Sequence, residues 1–311
     1  MKFKILIILL FFNIAFALDK SEIANFCDSL LAGRKGAIIV AMPYFAQIVC
    51  AVGDSDILSG VEKYPPGSVF KVVSSLAALQ KNIDPKKTVK CTYFYHTPSG
   101  ETLHCSWKPG HGIVDMERAL SVSCSFYFYH LMDNGLTVAD IREMAKKFRF
   151  DEPPYDSIPC STIKKFDSKS FKYRFSVGLS GIYTTPYHLL RMISAVANSG
   201  LMPNFDDHSL RKIADIPDES WKVVREGLKS SVSDGLCRFA FDSEISAAGK
   251  TGTASIPKNP DRTCGWFVGY YPADGIPHWA VVVLVVDGTG FTDAAPIAAE
   301  VLQYLKKSES K

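Results

Sequence analysis

The stretches 244-EISAAGKTGTAS-255, 264-CGWFVGYY-271 and 278-HWAVVVLVVD-287 decide the fold, because they are three consecutive apolar and β-prone runs. Runs of this length that are bounded by glycine, proline and aspartate are typical of strands. Short connections between consecutive strands favour antiparallel over parallel pairing. The sequence therefore predicts three neighbouring antiparallel strands near the C-terminus.

The beginning of the chain is predicted to complete the same sheet. Residues 36–41 and 46–53 are apolar and β-prone, and a short Met-Pro-Tyr-Phe stretch separates them. This pattern predicts a hairpin. Residues 294–306 carry apolar side chains at helical spacing, which predicts a final helix. The two ends together predict a five-stranded antiparallel sheet that is flanked by helices.

The middle of the chain has a helical pattern instead. Thr185 and Pro186 supply an N-cap and a first-turn proline, and Asn198, Ser199 and Gly200 supply a stop signal. Further helices are predicted at residues 115–134, 138–148 and 218–230. The predicted fold class is therefore α+β, with an all-helical subdomain inserted into the sheet.

The composition is that of an ordinary globular protein. The 311 residues are 47% hydrophobic and 22% charged, and 35 basic against 32 acidic residues leave a net charge of +3. This balance is too even for the basic surface that a nucleic-acid partner requires. We expect no nucleic-acid binding, and we treat residues 18–311 as one folding unit.

The first residues have the features of a secretory signal peptide. Lys2 and Lys4 precede an apolar run, and Ala15-Phe16-Ala17 has small residues at the spacing of a cleavage site. We predict a signal peptide over residues 1–17 and a periplasmic or other extracytoplasmic location for the mature chain. The alternative is an uncleaved anchor, although residues 5–17 are shorter than the roughly 20 residues that span a bilayer.

Ser68 is the first candidate for chemistry. Lys71 follows it by three positions, which on a helix puts hydroxyl and amine on one face. Four other serines have a lysine at this spacing, but only Ser68 follows Pro65-Pro66-Gly67 and opens a strongly apolar helix. The dipole and free N–H groups of a helix start favour a developing oxyanion. Taken alone, the pattern is more typical of a serine that caps a core helix.

Two further motifs favour catalysis over capping. Ser123-Cys124-Ser125 lies between helical stretches, and residues 249–254 (GKTGTA) lie in a predicted strand. In this order the three motifs resemble the S-x-x-K, S-x-N and K-T-G set of penicillin-binding proteins and serine β-lactamases. Other stretches also look like that transpeptidase domain: Tyr64-Pro65-Pro66-Gly67-Ser68, His111-Gly112-Ile113-Val114-Asp115, Phe126-Tyr127-Phe128-Tyr129, Ala197-Asn198-Ser199-Gly200 and Gly265-Trp266-Phe267-Val268-Gly269-Tyr270.

The resemblance implies a D,D-transpeptidase that acts on peptidoglycan stem peptides and that β-lactams acylate. Ser68 would be the nucleophile and Lys71 its base, because a serine hydroxyl needs a neighbouring base and burial lowers a lysine pKa. Ser123 would bridge Lys71 and Lys250 and pass the proton to the leaving amine. The carboxylate of the substrate would be bound by Lys250, Thr251, Gly252 and Thr253. The resemblance implies no cofactor for the chemistry, and cell-wall synthesis proteins as partners.

Ser125 departs from the family pattern, which usually has asparagine at this position. A hydroxyl keeps one donor and one acceptor but has less reach than an amide. We expect Ser125 to contact substrate, and the substitution is either tolerated or changes substrate preference and rate.

A structural zinc site is predicted at Cys91, Cys105, His111 and Cys124. Three thiolates and an imidazole are an accepted tetrahedral zinc set, although the spacing is not that of a zinc finger. The resemblance adds weight, because some elongation-type penicillin-binding proteins carry a metal site in these segments. The alternative is a disulfide between Cys91 and Cys105, as expected in an oxidising compartment.

Three other activities are compatible with the same motifs. Water in place of the acceptor amine would make the protein a D,D-carboxypeptidase. A class D-like β-lactamase would share the lysine base and the tryptophan after K-T-G, but it would turn over β-lactams many times. A β-lactam-sensing or scaffolding module would bind or become acylated without turnover.

Overall fold

The structure is a computed structural model that describes residues 19–155, 157–164, 170–257 and 259–309. The predicted signal peptide, residues 1–17, lies outside the described residues. In the described part of the chain, no helix is both long enough and apolar enough to cross a membrane.

The centre of the fold is a five-stranded sheet with the order β11-β12-β13-β1-β2, in which every neighbouring pair is antiparallel. The strands are β1 (Gly36–Met42), β2 (Gln47–Gly53), β11 (Ala248–Ile256), β12 (Asn259–Tyr271) and β13 (Trp279–Val286). This confirms the predicted sheet built from both ends. β11 starts four residues later than the predicted run, and β12 starts five residues earlier.

β13 shows how the sheet is held between two cores. All eight of its residues are buried, and successive side chains alternate between the faces of the sheet. Ala280, Val282 and Leu284 belong to one apolar core, whereas Val281 and Val283 belong to the other. The second core is covered by the helices α1 (Lys20–Leu31) and α10 (Ala295–Ser308). The first core carries the inserted region.

The inserted region is not all-helical, and this detail of the prediction is wrong. It contains the predicted helices α3 (Lys71–Gln80), α6 (Val138–Lys147), α8 (Pro186–Ala197) and α9 (Asp218–Ser233), together with α2 (Ser55–Leu58) and α7 (Phe171–Ser176). It also contains four two-stranded ribbons: β3 (Val89–Cys91) with β6 (Gly112–Val114), β4 (Phe94–His96) with β5 (Thr102–His104), β7 (Thr162–Ile163) with β8 (Ile182–Tyr183), and β9 (Leu201–Asn204) with β10 (Ser209–Lys212). Strands of two to four residues are too short for an alternating pattern to be read from sequence.

The predicted helix at residues 115–134 is two helices, α4 (Met116–Ser121) and α5 (Ser125–Asp133). The break falls at Ser123, whose φ of 58° lies in the left-handed region. No glycine or proline marks this position, so the helical periodicity continues through the break unnoticed. The break brings the backbone and side chain of Ser123 to the site described next.

Candidate functional site

Ser68 lies where the 3₁₀ segment Gly67–Phe70 runs into α3. Its hydroxyl is therefore at the N-terminal end of a buried helix, as the sequence predicts. Backbone N–H groups in the first turn of a helix have no partner within the helix and favour negative charge nearby. Ser68 is half-buried, so its hydroxyl remains open to a ligand.

Lys71 connects the first and second motifs. Its Nζ lies 3.0 Å from Ser68 Oγ, 2.7 Å from the Ser123 carbonyl oxygen, 3.3 Å from Ser123 Oγ and 3.0 Å from Ser125 Oγ. The side chain is fully buried, and this burial lowers the pKa of Lys71 to about 8. The structure thus brings together four of the predicted site residues around a lysine that can be neutral near physiological pH.

The left-handed backbone of Ser123 explains how one residue offers Lys71 two oxygen atoms. A right-handed helical residue would direct its carbonyl oxygen along the helix axis, toward the next turn. At Ser123 the chain turns instead, and both its carbonyl oxygen and its hydroxyl face Lys71 Nζ. Such a conformation costs a non-glycine residue free energy and is frequent at functional sites.

Lys250 approaches from the other side of the site, on the edge strand β11. It is fully buried, and burial, followed by the charge of Lys71, lowers its pKa to about 7. Its Nζ donates to the Thr251 carbonyl oxygen at 3.1 Å. Ser123 is hydrogen bonded to Lys71 Nζ, and no hydrogen bond joins it to Lys250. Of the predicted bridge between the two amines, only the half at Lys71 is therefore formed.

The two threonines of the third motif differ in exposure. Thr253 is exposed, whereas Thr251 is only 3% exposed. Thr253 Oγ1 accepts a hydrogen bond from the Gly290 N–H at 2.9 Å. Because its oxygen is already held as an acceptor, the Thr253 hydroxyl has its proton available for an anionic ligand. Gly290 was not predicted, and its distance of 37 residues from Thr253 leaves no local sequence signal.

Glycines allow the segment before Ser68 to lie against β11. A Cβ at Gly252 would lie 2.4 Å from the Pro66 carbonyl oxygen, and one at Gly67 would lie 2.7 Å from the Thr253 carbonyl oxygen. Gly67 also has a φ of 54°, which favours glycine. Gly252 therefore contributes to the site through backbone approach, since it has no side chain.

Trp266 is a further supporting residue that the sequence did not single out as functional. Its indole Nε1 donates to the Pro65 carbonyl oxygen at 2.9 Å, and its ring is fully buried. The bond ties β12 to the segment that leads into Ser68. The sequence placed Trp266 in a strand, but only the folded chain brings it within reach of Pro65.

The predicted metal-binding residues also lie together. The ligand atoms of Cys91, Cys105, His111 and Cys124 are all within 4.8 Å of one another. His111 Nδ1 lies 3.7 Å from Cys91 Sγ and 3.4 Å from Cys105 Sγ, and Cys105 Sγ lies 3.8 Å from Cys124 Sγ. All eight cysteines are in the described part of the chain and all are free thiols.

The chemistry of this cluster fits a soft metal ion. Contact with the Cys124 thiol and with His111 lowers the pKa of Cys91 and that of Cys105, whereas the contacts with these two cysteines raise the pKa of Cys124. Thiolates and a neutral imidazole are the ligands that a structural zinc ion requires. Cys124 is also the N-cap of α5 and lies between Ser123 and Ser125. Anything bound at the cluster would therefore fix the second motif.

Comparison with known proteins gives the family. The model of the penicillin-binding protein transpeptidase domain matches residues 60–303. Peptidoglycan D,D-transpeptidase MrdA of Acinetobacter baumannii is 25% identical over an alignment that covers 88% of this chain and 51% of that protein. Peptidoglycan D,D-transpeptidase PbpA of Mycolicibacterium smegmatis is 30% identical, covering 76% of this chain and 54% of that protein. The chain thus spans about half the length of the curated relatives it matches.

Solved structures share the fold. The transpeptidase domain of Burkholderia pseudomallei penicillin-binding protein 3 superposes with a TM-score of 0.80 at 18% identity, covering 93% of this chain and 94% of that one. Pseudomonas aeruginosa PBP2 gives a TM-score of 0.78 at 23% identity, covering 92% and 77%. At these identities the superpositions establish the fold alone, and the family follows from the match over residues 60–303. The chain belongs to the penicillin-binding protein transpeptidase domain family.

Proposed function

We propose that this protein is a serine D,D-transpeptidase that cross-links peptidoglycan stem peptides through an acyl-enzyme on Ser68. The observation that carries the proposal is the position of the buried Lys71 amine, 3.0 Å from Ser68 Oγ and 3.3 Å from Ser123 Oγ. A serine nucleophile, a base within hydrogen-bonding distance and a second hydroxyl that can relay a proton are the parts that acyl transfer needs.

In the first step, Ser68 Oγ attacks the carbonyl carbon between the two D-alanines while its proton passes to neutral Lys71. The backbone N–H groups of Ser68 and Thr253 stabilise the oxyanion. β11 is the outer strand of the sheet, so alternate N–H groups along it are free of strand pairing. The C–N bond then breaks, and the leaving D-alanine amine takes a proton through Ser123. The product is an ester on Ser68 and free D-alanine.

In the second step, the amine of a neighbouring stem peptide attacks the ester and releases Ser68. Lys71 again accepts the proton, now from the attacking amine, and passes it to Ser68 Oγ as the ester C–O bond breaks. If water attacks instead, the same steps make the protein a D,D-carboxypeptidase.

The carboxylate of the donor peptide would be held by the charged Lys250 and by the Thr253 hydroxyl, with Thr251 and Gly252 shaping the strand. A bound carboxylate favours the protonated form of Lys250, which separates its role from that of Lys71. Ser125, which contacts Lys71, would lie beside the peptide amide.

The test is the intact mass of the mature protein after incubation with benzylpenicillin, followed over hours and compared with Ser68→Ala. We expect one adduct that persists on the wild type and none on the variant. Release of D-alanine from a peptide ending in D-alanyl-D-alanine should depend on Ser68 in the same way. An unmodified wild type with intact drug would exclude acyl transfer at Ser68. Consumption of the drug without an adduct would instead identify a β-lactamase, and nitrocefin would then be turned over many times.

We also propose that a structural zinc ion binds Cys91, Cys105, His111 and Cys124. It would fix the loop that carries Ser123 and Ser125 without taking part in acyl transfer. Metal analysis of the untagged protein should find one zinc per chain, and His111→Ala should reduce this occupancy. A protein without zinc in which Cys91 and Cys105 are joined as a disulfide would refute this assignment.

The proposed activity requires an extracytoplasmic location, reached by cleavage of the signal peptide over residues 1–17. Helicobacter pylori PBP2, which shares the fold, has been solved in complex with MreC. We propose that cell-wall synthesis proteins are partners here too. N-terminal sequencing of the exported protein should place Leu18 first, and a retained Met1 would indicate an anchor instead.

A further inference from the structure

Cys27 and Cys50 form a second group of sulfur atoms, far from the proposed metal site in sequence. Their Sγ atoms lie 3.9 Å apart, and both side chains are buried, at 0% and 7% exposure. Cys27 is on α1, and Cys50 is on β2. Both belong to the apolar core on the side of the sheet opposite Ser68, so the catalytic proposal makes no use of them.

The pair lies where α1 meets an edge of the sheet. Ile23, Cys27 and Leu31 are spaced by four residues and form the buried face of α1. On its other side the helix stacks Phe26 on Tyr304 of α10, with ring centroids 4.2 Å apart. β2 forms the edge of the sheet opposite β11, and among the described strands it pairs with β1 alone. A covalent link from Cys27 to Cys50 would therefore fasten the N-terminal helix to a strand that is paired on one side only.

We propose that Cys27 and Cys50 form a disulfide in the mature protein. The proposal rests on the extracytoplasmic location proposed above, since disulfides persist in oxidising compartments. The two sulfur atoms are 3.9 Å apart, close to van der Waals contact, and a disulfide brings them to about 2.05 Å. Among the described residues no histidine, carboxylate or third thiol joins the pair, whereas the proposed zinc ligands form a four-membered group. The geometry thus separates a disulfide pair from a metal-binding set within one exported chain.

The oxidant is a disulfide, either of a small molecule or of a thiol oxidase. The thiolate of one cysteine attacks a sulfur atom of that disulfide, forming a mixed disulfide and releasing one thiolate. The second cysteine then attacks the mixed disulfide and releases the other thiolate, so that the two protons lost by the cysteines end on the two released thiols. Because both side chains are buried in the folded state, the reaction occurs during folding or when α1 detaches from the sheet.

The link would close a loop of about 24 residues. A loop of this size restricts the unfolded chain enough to raise the melting temperature of a domain of this length by roughly 3–6 °C. The stabilised part is the packing of α1 on β2. Acylation of Ser68 should not change, because the pair lies on the other face of the sheet.

The experiment uses the purified full chain, equilibrated with a mixture of reduced and oxidised glutathione and then quenched with acid. The protein is unfolded in guanidinium with a chelator, alkylated, and digested for mass spectrometry. We expect Cys27 and Cys50 in one cross-linked peptide pair, and the six remaining cysteines alkylated. Alkylation of both Cys27 and Cys50 under these conditions would overturn the proposal, as would a cross-link that joins either of them to a different cysteine.

Melting temperatures give a second, independent measurement. A phosphine reductant should lower the melting temperature of the wild type by the amount given above. The same reductant should leave the melting temperature of Cys50→Ala unchanged. Cys160→Ser is the matched control, because Cys160 is outside both groups and this variant should respond like the wild type. An equal response in Cys50→Ala would overturn the proposal. Penicillin adducts measured on the same samples test acyl transfer at Ser68 separately. The disulfide proposal and the catalytic proposal can therefore be refuted independently of each other.

Discussion

Lowering the pH from 8 to 6 should slow the acylation of Ser68 by a penicillin about 50-fold. Lys71 acts as a base only in its neutral form, and burial gives it a pKa of about 8. About half of the molecules then carry neutral Lys71 at pH 8, about a tenth at pH 7 and about 1% at pH 6. The direction is that of a lowered lysine pKa: activity increases with pH and levels off above about 8.

The assay is the rate of adduct formation with a fluorescent penicillin at saturating concentration. Saturation removes the effect of pH on binding, because a bound carboxylate keeps Lys250 protonated. Ser68→Ala supplies the background. In Lys71→Arg the group cannot lose its proton near neutral pH, so we expect acylation to be about 10²–10⁴-fold slower. The remaining rate should vary little with pH, whereas the wild-type rate should change about tenfold per pH unit below pH 7.

A wild-type rate that changes less than threefold between pH 6 and 8 would refute the role of Lys71 as a base with a lowered pKa. So would an unchanged pH profile in Lys71→Arg. Thermal unfolding at each pH is the necessary control, since a partly unfolded protein would also lose activity in acid. The comparison is valid only where the folded fraction of both proteins is the same.

Three further substitutions test how the site is held. Trp266→Phe keeps a ring but removes the stronger donor to the Pro65 carbonyl oxygen and leaves it only the weak Cys264 thiol at 3.6 Å. This should lower the free energy of unfolding by about 1 kcal/mol, measured with urea, and slow acylation. Gly252→Ala would place a Cβ 2.4 Å from the Pro66 carbonyl oxygen, so acylation should fall on the order of 100-fold in the adduct assay; a wild-type rate would show that the two segments can separate without cost. Ser125→Ala removes one oxygen that holds the Lys71 ammonium, which should move the midpoint of the pH–rate profile to lower pH; a midpoint that rises would contradict the contact.

The sheet could be predicted because its strands carry strong local signals. β13 is an unbroken apolar run, as expected of a strand buried on both faces, and both end segments are bounded by turn residues. The order of the three motifs then predicted which side chains would meet. The ribbons around the cysteine cluster could not be predicted, because three-residue strands depend on pairing with distant partners rather than on their own pattern.

The sequence predicted which side chains of the candidate site would lie together, but not the contacts that support them. Spacing and resemblance singled out Ser68, Lys71 and Ser125, and the Oγ atoms of the two serines each lie 3.0 Å from Lys71 Nζ. The left-handed turn at Ser123 was not predicted, because nothing in a serine side chain requires it. Tertiary contacts impose it: Lys71 bonds both its oxygen atoms, and the neighbouring Cys124 is buried in the cysteine cluster. Local sequence is a weak guide to a conformation that distant residues stabilise.

These contacts explain how the site tolerates the buried Lys71 amine. A buried ammonium costs free energy, and the fold offsets that cost with oxygen atoms from two segments that are not free to move. One segment is fastened to β12 by Trp266 and pressed against β11 at Gly252. The other is fixed by α5 and by the cysteine cluster at Cys124. Because contacts other than those with Lys71 also hold both segments, we expect their geometry to change little when Lys71 loses its proton. A site held in this way keeps the same geometry in both protonation states, and this is the condition under which Lys71 can accept a proton and return it in each cycle.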